Sequence, residues 1–416
     1  MTTEQATLTA AAREAWLYVL PLIETANTRA GQGALAAPPN AFSHMRNLAD
    51  HRMRAVTTPN NDTLYSSAQL DLRDGPVTLT LPPAGDRYLS LALMDAYTNN
   101  FSVLGTRTTG GEGGRFRLVG PNDAIDGPDV IRAPTPYVWA LGRVLVDGPD
   151  DLGAARAVQA GLSVQGPARP AWSPGVHRSA PWREYFTAAS RLLEENPPPV
   201  TDHALLARIA PLGLGSGTFA LDGFNADVAG AIEEGVALAQ RDVRGGGIGA
   251  TIIGGWMYPE PELGDFGQAY QYRAMVAVAG LAALPPAEAM YMRAIGPERG
   301  LFDGTKQWTL TFPEGAWPPV DSFWSLTLYE ATPEGQFFFT DNPIRRYAIG
   351  DRTPGLKPEP DGSLRLRIGN RRPEDDQLGN WLPAPASPFA LFMRTYLPQR
   401  ALLSGRYRLP PVQSDD

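Results

Sequence analysis

The sequence contains no cysteine, only four histidines and only two lysines, Lys306 and Lys357, in 416 residues. Without cysteine the chain forms no disulfide, supplies no thiolate nucleophile and holds no cysteine-ligated zinc or iron–sulfur cluster. Schiff-base chemistry is restricted to the two lysines, and the histidine spacings match no known metal-binding motif. Several common classes of enzyme are therefore excluded or disfavoured before any motif is considered.

Long hydrophobic runs are also missing. The longest, residues 274–284, is too short to cross a bilayer, and residues 1–16 read as the start of a helix rather than as a secretion signal. The net charge of −8 is mild and dispersed, which argues against a nucleic-acid partner. We therefore expect a cytoplasmic protein with neither a membrane nor a nucleic-acid partner, and the sequence leaves a homo-oligomer open.

The spacing of apolar residues divides the chain into helical and β-rich parts. Apolar residues follow helical spacing over 7–28 and alternate as in strands over 60–146 and 306–396. The intervening segments that read as helices are 182–195, 201–209, 225–243, 270–284 and 286–295. We predict four parts: an N-terminal helical arm (1–58), a first β-sandwich unit (59–147), a helical insert (148–300) and a second β-sandwich unit (301–416).

Five segments of the first β-rich part recur in the same order in the second. They are 77–82 with 308–313, 88–96 with 323–331, 105–108 with 350–353, 116–119 with 364–367, and 133–143 with 384–394. Strands resemble one another by chance, but chance does not explain the shared order or the two Gly-x-Arg-Thr corners. We predict two related β-sandwich units, and a pocket where they meet the helices.

Six long motifs point to a family. They are PNNDTLYSSAQLDL from Pro59, MDAYTNNF from Met94, GTRTTG from Gly105, PPVDSFWSLTLYE from Pro318, DNPIRRYAIGDRTPGL from Asp341 and NWLPAP from Asn380. Through these motifs the chain resembles, over nearly its whole length, a family of two adjoining domains of unknown function, numbered twelve fifty-four (N-terminal) and twelve fourteen (C-terminal). The resemblance implies an α+β multidomain fold with two jelly-roll-like β units and no settled reaction. Many members look exported, whereas this sequence shows no leader.

The stretch that begins at Pro59 supplies the candidate catalytic residues. Asp62 and Tyr65 stand at the start of a predicted strand, and Asp95 follows a second, strongly apolar strand. Burial raises the pKa of a carboxyl group and makes it suitable for acid–base work near neutrality. We predict Asp62, Tyr65 and Asp95 as catalytic. The structural alternative is an Asx turn or cap before the strand, and Glu330 matches Asp95 in the repeat.

The other polar residues near these motifs are predicted to bind substrate. They are His44, Asn60, Asn61, Tyr97, Asn99, Arg107 and Trp256. Asp95, Tyr97 and Asn99 would project to one side if the strand stays extended. His44 is a candidate proton shuttle. For Trp256 core packing is the commoner explanation.

The internal repeat helps to distinguish residues with a structural role from residues with a functional role. Arg352 matches Arg107, which favours a scaffold role for both, and Arg107 has Asp95 or Asp62 as candidate ion-pair partners. By contrast, residues 60–65 show no counterpart upstream of Lys306, which favours a functional role for that stretch.

The leading interpretation is an enzyme that acts on a small organic molecule in an inter-domain cleft by carboxylate and tyrosine acid–base chemistry, with hydrolysis as the first choice. The alternatives are a non-catalytic small-molecule or carbohydrate-binding protein and an enzyme that depends on a divalent cation, for which Asp and Asn oxygens are suitable ligands. No cofactor is predicted. Residues 245–250 fit a relaxed G-x-G-x-x-A pattern, but they follow a helix, so a dinucleotide site is disfavoured.

Overall fold

The computed structural model describes residues 2–34, 38–167, 175–214, 224–245, 251–298 and 300–415. Residues 246–250 of the glycine-rich pattern lie outside them. The helices are α1 (Thr3–Ala34), α2 (Leu152–Ala160), α3 (Trp182–Glu195), α4 (His203–Ile209), α5 (Ala226–Gly245), α6 (Tyr270–Ala279) and α7 (Arg400–Leu403). Short 3₁₀ turns span Pro149–Asp151, Val200–Asp202, Ala210–Leu212 and Asp375–Asn380.

The strands fall into two groups along the chain. The first group is β1 (Ser43–His44), β2 (Thr63–Asp71), β3 (Val77–Leu81), β4 (Leu89–Asp95), β5 (Asn100–Gly105), β6 (Gly114–Val119), β7 (Val130–Arg132), β8 (Tyr137–Leu145) and β9 (Ser163–Gln165). The second is β10 (Thr251–Ile253), β11 (Trp256–Tyr258), β12 (Ala289–Ala294), β13 (Trp308–Phe312), β14 (Val320–Ala331), β15 (Phe337–Phe338), β16 (Ala348–Gly350), β17 (Leu364–Gly369), β18 (Trp381–Pro383), β19 (Phe389–Pro398) and β20 (Val412–Ser414). The predicted α+β multidomain class is confirmed.

The first group of strands forms two sheets that pack face to face. One sheet, in the order β1-β2-β8-β4-β5, is here called the first front sheet; the other, β7-β6-β3-β9, is the first back sheet. Alternate residues of both, such as Leu64, Leu91 and Leu79, are fully buried in one shared core. Because side chains alternate across a strand, each sheet contributes one face to this core and leaves the other free for a second contact.

The second group repeats this strand order. In the second front sheet β12-β19-β14-β16 stand where β2-β8-β4-β5 stand in the first, and β10, β11 and β15 extend it. The second back sheet, β18-β17-β13-β20, corresponds to β7-β6-β3-β9, including a parallel pair at the same place. Leu326, Leu366 and Met393 belong to the core between these two sheets. The two units therefore share one arrangement of strands.

The second unit begins before residue 301, in contrast to the predicted boundary. Residues 251–294 supply β10, β11 and β12, and β12 pairs with β19 in the middle of the second front sheet. The predicted helix over 286–295 is wrong. Its alanines and methionines are strong helix formers, but the neighbouring strands override that local preference. Met290 and Met292 alternate into the core as strand residues do.

The N-terminal helix is not a separate arm. Trp16, Tyr18 and Leu20 are at most 1% exposed, and α1 packs on α3, α4, α5 and α6 in one apolar cluster, here called the helical layer. A helix that is apolar on most sides has to be surrounded by other elements. The predicted arm and insert therefore combine into one layer. No helix of the described ranges is both long and apolar enough to cross a membrane.

The two front sheets face each other through their free faces. Tyr88, which immediately precedes β4, lies edge-on to Phe323 and Tyr396, and those two rings stack with centroids 4.2 Å apart. Leu145 of the first front sheet and Ala289 of the second belong to the same buried cluster. This interface, called the inter-unit layer below, contains most of the residues considered next.

Gly235 gives a test of the contact between α1 and α5. A methyl group at Gly235 would meet the Thr9 carbonyl oxygen at 2.3 Å, whereas one at Gly230 on the same helix would meet nothing described within 4 Å. We expect Gly235→Ala to destabilise the protein by about 1–3 kcal/mol, since the helices must separate. We expect Gly230→Ala to stabilise it by about 0.8–1 kcal/mol through helix propensity. Thermal unfolding measures both, and equal melting temperatures would contradict the close approach.

Candidate functional site

Each front sheet presents a row of three polar side chains to the inter-unit layer. The residues of a row are direct neighbours across adjacent strands: Tyr65, Arg143 and Ser90 in the first sheet, and Tyr291, Arg394 and Ser325 in the second. The rows occupy corresponding strands of the two units. Two tyrosines and two arginines are thus brought together between sheets whose remaining contacts are largely apolar.

Tyr65 and Arg143 are in direct contact. The Nε of Arg143 donates to Tyr65 Oη at 3.4 Å, and its guanidinium carbon lies 5.2 Å from the centroid of the Tyr65 ring. Arg143 is 4% exposed, whereas Tyr65 and Tyr291 remain partly accessible. Because these two rings lie between packed sheets, their accessible surface marks a small hollow in the layer.

Charge in the layer acts on the Tyr65 phenol. Burial by itself raises the pKa of Tyr65, but the positive charges of Arg143 and Arg394 outweigh it and hold that pKa below its ordinary value. The side chain of Asn60 adds a hydrogen bond to the same phenol. Tyr396 differs, since burial and the neighbouring phenols raise its pKa well above the usual range. Tyr65 is therefore the tyrosine of the layer that ionises most readily.

The two arginines of the rows differ in their contacts. Arg394 donates through Nη1 to Thr327 Oγ1 at 2.6 Å and through Nη2 to Tyr329 Oη at 2.5 Å. Arg143 donates through Nη2 to the Ala282 carbonyl oxygen at 3.0 Å, but its Nη1 has no hydrogen-bond partner in the described chain. The first row thus retains an unused buried donor.

Two ion pairs cross the layer in opposite directions. Asp62, just before β2, contacts Arg352 of the second unit at 3.3 Å, and Glu288, just before β12, contacts Arg107 of the first unit at 2.6 Å. Both arginines follow a glycine corner at which a methyl group would meet a backbone oxygen at 2.1 Å. Each unit therefore supplies an acid to the other and receives one.

These pairs correct two sequence-based predictions. Arg107 pairs with neither Asp62 nor Asp95, and its counterpart Arg352 is the partner of Asp62. The stretch over 62–65 does have a counterpart, since Glu288 corresponds to Asp62 and Tyr291 to Tyr65 in the matching strands. The incorrect helix over 286–295 concealed this match. Asp62 also accepts a hydrogen bond from Ser325 Oγ at 2.7 Å, so its carboxylate is fully engaged.

Asp95 lies at the far end of the first front sheet from Asp62. Asp62 adjoins the Leu145 end of β8, whereas Asp95 pairs with Val138. The seven intervening steps along the strand separate them by roughly 20 Å. The predicted convergence of Asp62 and Asp95 on one pocket does not occur, because register is set by pairing across the sheet rather than by nearness in sequence.

The residues after β4 turn instead of continuing the strand. Asp95 Oδ1 accepts from the backbone nitrogens of Tyr97 and Asn99, both at 2.9 Å, and closes the turn. Tyr97 Oη donates to the Asn196 carbonyl oxygen at 2.6 Å in the helical layer, and Asn99 Oδ1 accepts from the Phe266 nitrogen at 3.1 Å. Burial raises the pKa of Asp95 to about 6. These residues fasten the first unit to the helices.

His44 lies in β1 at the edge of the first front sheet. Its Nδ1 is 2.8 Å from Ser66 Oγ, its ring stacks on Phe42, and burial followed by the charge of Arg46 lowers its pKa. Ser66 and Tyr65 are consecutive and so face opposite sides of β2. The structure therefore places His44 away from the Tyr65 phenol.

The remaining predicted binding residues separate. Asn60 Nδ2 donates to Tyr396 Oη at 2.7 Å inside the layer, whereas Asn61 Nδ2 donates to a backbone oxygen of the preceding loop at 2.5 Å. Trp256 is fully buried in the core of the second unit, where its Nε1 donates to the Pro410 carbonyl oxygen at 2.7 Å. Core packing explains Trp256, so it does not line the layer.

Sequence reasoning missed the arginines of the two rows. Arg143 and Arg394 end the matched segments 133–143 and 384–394, and each interrupts an apolar strand. A charged residue at the same position of two repeated strands was the signal that could have identified them. Over the ranges that the structure describes, no three His, Asp or Glu side chains are grouped as metal ligands.

Two family models match the chain. Protein of unknown function DUF1254 matches residues 39–166, and DUF1214 matches residues 288–400. Together they span more than half of the chain. The chain belongs to the family that pairs these two domains. The second domain of this paired-domain family begins at Glu288, the acid that meets Arg107.

The fold is similar to that of a solved structure from Vibrio parahaemolyticus. The VPA0106 protein from Vibrio parahaemolyticus is similar at 21% identity and a TM-score of 0.74, over 98% of this chain and 100% of that one. An uncharacterised protein from Burkholderia cenocepacia matches at 13% identity and a TM-score of 0.44, over 98% of this chain and 94% of that one. No curated protein matches the sequence significantly.

Asp62→Asn tests the structural role of the Asp62–Arg352 pair. We expect a loss of about 1–3 kcal/mol of stability, because the only carboxylate left to pair with the largely buried Arg352 is the more distant Asp351, at 3.6 Å. Asp126→Asn is the control. The Asp126 side chain is 90% exposed in its pair with Arg132, so this substitution should change the stability little. Thermal unfolding measures both, and an unchanged Asp62→Asn would show that the pair contributes nothing.

Asp95→Asn tests the burial of a carboxyl group. The pKa of Asp95 is raised from 3.8 to about 6, so folding binds the proton more tightly and the wild type loses stability as pH rises through that range. We expect the free energy of unfolding of the variant to exceed that of the wild type by on the order of 2 kcal/mol above pH 7 and to equal it near pH 4. Melting temperatures at both pH values decide, and a difference independent of pH would refute the raised pKa.

Proposed function

We propose that the chain is an enzyme that acts on a small organic molecule in the inter-unit layer by acid–base chemistry. The supporting observation is the placement of Tyr65, a partly accessible residue whose phenol oxygen contacts the Arg143 guanidinium inside the layer. In this proposal Tyr65 is the catalytic base and acid. Asp62 becomes a positioning residue rather than the proton-transfer group predicted from the sequence.

Positive charge gives Tyr65 its chemistry. Two nearby guanidinium groups stabilise the phenolate, so the phenol loses its proton at lower pH than an ordinary tyrosine. A phenolate at the edge of a hollow accepts a proton from a bound molecule, and the phenol formed returns it in a later step. Asn60 orients the group, since it reaches both Tyr65 and Tyr396 and is itself held through Oδ1 by the Asp62 nitrogen at 2.6 Å.

Hydrolysis is the simplest reaction for this arrangement, because it needs only water as the second reactant. The Tyr65 phenolate takes a proton from water while the water oxygen bonds to the carbonyl carbon of an ester or amide. Collapse of the tetrahedral intermediate breaks the bond to the leaving group, which receives the proton from Tyr65. Arg143 is positioned to stabilise negative charge that develops in the hollow.

Non-catalytic binding is the second candidate. The ion pair of Asp62 with Arg352 supports it, because this pair removes the carboxylate of the predicted carboxylate–tyrosine couple from proton transfer. Aromatic rings around a hollow also suit a small-molecule or carbohydrate ligand. The two candidates differ in whether Tyr65 is required for turnover.

We also propose that the two units descend from a duplication and are jelly-roll-like. Three observations support this proposal: the common strand order, the matched polar rows and the reciprocal ion pairs. A cytoplasmic location, a homo-oligomer and the lack of a cofactor, with a divalent cation as the alternative, remain predictions from the sequence.

Tyr65→Phe tests the proposed function in two ways. In a pH titration followed by tyrosinate absorbance, we expect the earliest ionising tyrosine to disappear in Tyr65→Phe and to persist in Tyr291→Phe, because burial raises the pKa of Tyr291. Against a panel of aryl esters and amides, we expect a kcat lower by about 10²–10⁴ with KM nearly unchanged.

Tyr407→Phe, a change on the side of the second unit away from the layer, controls for general effects on folding and activity. Unchanged turnover in Tyr65→Phe would overturn the catalytic proposal. Retained ligand binding without turnover in the wild type would establish the second candidate instead.

A further inference from the structure

We infer that the inter-unit layer takes a small organic carboxylate, whose carboxylate group binds Nη1 of Arg143 and whose apolar body lies among the tyrosine rings. This inference rests on the proposed function, because it names the substrate class of the same site.

Arg143 is a built but incomplete binding group. It is 4% exposed, its Nε and Nη2 are used by Tyr65 and the Ala282 carbonyl, and its Nη1 is left without a partner among the residues described. Buried donors almost always have partners, since an unused one forfeits its hydrogen bonds with water. An orphan donor beside a partly accessible tyrosine residue marks a position for an acceptor from outside the chain.

The charge of the layer points to an anion. In the described chain no carboxylate lies within ion-pair distance of Arg143 or Arg394, whereas Arg107 has one and Arg352 has two. Neighbouring tyrosines raise the pKa of Arg143 even though burial lowers it, so the group stays charged. Buried charges are costly unless they are compensated. A bound anion supplies the missing negative charge.

The second row shows that the orphan donor is particular to the first. Arg394 stands at the corresponding position, yet its Nη1 and Nη2 are occupied by Thr327, Tyr329 and the Thr58 carbonyl oxygen at 3.1 Å. The same strand arrangement therefore satisfies one arginine and leaves the other open. The open one is the arginine in contact with the partly accessible Tyr65.

The surroundings favour a carboxylate with an apolar body over an inorganic anion. The free Nη1 of Arg143 can donate a charge-assisted hydrogen bond to one carboxylate oxygen. A phosphate dianion would bring a second negative charge, and Nη1 and Nη2 of the neighbouring Arg394 are already occupied. The walls contain the rings of Tyr65, Tyr291 and Tyr396. These rings suit an aromatic or short aliphatic acid.

A positively charged groove borders the strand of Tyr65. It has a volume of about 620 Å³ and is lined by residues 45–50 and 52–55, in which Arg46, Arg52 and Arg54 outnumber the single acid, Asp50. Its first residue, Met45, donates its backbone N–H to the Tyr65 carbonyl oxygen at 2.8 Å. In a chain of net charge −8, this local concentration of arginines attracts small anions to this edge of the first front sheet.

Benzoate is the probe for the test, with uncharged benzamide of the same shape as its partner. By calorimetry at constant ionic strength, we expect benzoate to bind the full-length protein and benzamide to bind at least tenfold more weakly. Arg143→Gln should weaken benzoate at least tenfold. Arg115→Gln, on the exposed face of the first back sheet, is the matched control and should bind as the wild type does.

Three results would overturn the inference: equal binding of benzoate and benzamide, unchanged benzoate binding by Arg143→Gln, or inorganic phosphate that binds more tightly than benzoate. Arg143→Lys replaces the glutamine variant if that variant does not fold. A lysine ammonium is a point charge without the planar geometry of the guanidinium, so it should weaken benzoate binding severalfold. In the wild type, tyrosinate absorbance should fall on benzoate addition, because the anion competes with the Tyr65 phenolate for Arg143.

The inference and the proposed function can fail separately. Benzoate binding that depends on Arg143, together with full turnover by Tyr65→Phe, would leave the carboxylate site standing and remove the catalytic role of Tyr65. Turnover that depends on Tyr65, without selective binding of benzoate, would retain the enzyme and reject the carboxylate class.

Discussion

Two ion pairs hold the two β units face to face, and in each pair one unit supplies the acid and the other supplies the arginine. Asp62 meets Arg352, and Glu288 meets Arg107, across the same interface. Both acids precede a central strand and both arginines follow a glycine corner, so one local design is used twice. Because charges inside a protein need partners, this exchange fixes how closely the front sheets approach. The aromatic and arginine side chains between them depend on that approach.

The sequence predicted the strands well where the evidence was local. Alternation of apolar residues identified most of both units, and the Gly-x-Arg-Thr corners located the arginines of the ion pairs. It failed at residues 286–295, because alanine and methionine favour a helix and only the neighbouring strands β11 and β19 make them extended. The same failure hid the match between Glu288 and Asp62, and it moved the start of the second unit.

The candidate site was predicted in part. Tyr65 and Asn60 lie in the inter-unit layer, but Asp95 lies at the other end of the sheet and closes a turn against the helices. Nearness along the chain suggested a convergence that strand register forbids. Arg143 was overlooked because its importance comes from burial and an unfilled nitrogen, which are properties of the assembled sheets rather than of any motif.

The reciprocal pairs also bear on how the chain is organised as a whole. Each unit, taken alone, would present an arginine without its acid and an acid without its arginine, next to an uncovered aromatic face. In this respect the two units resemble the two subunits of a heterodimer joined in one polypeptide, because each unit completes an ion pair of the other. Such linkage lets one polar row stay fixed as a structural joint while the corresponding row of the other unit is free to diverge.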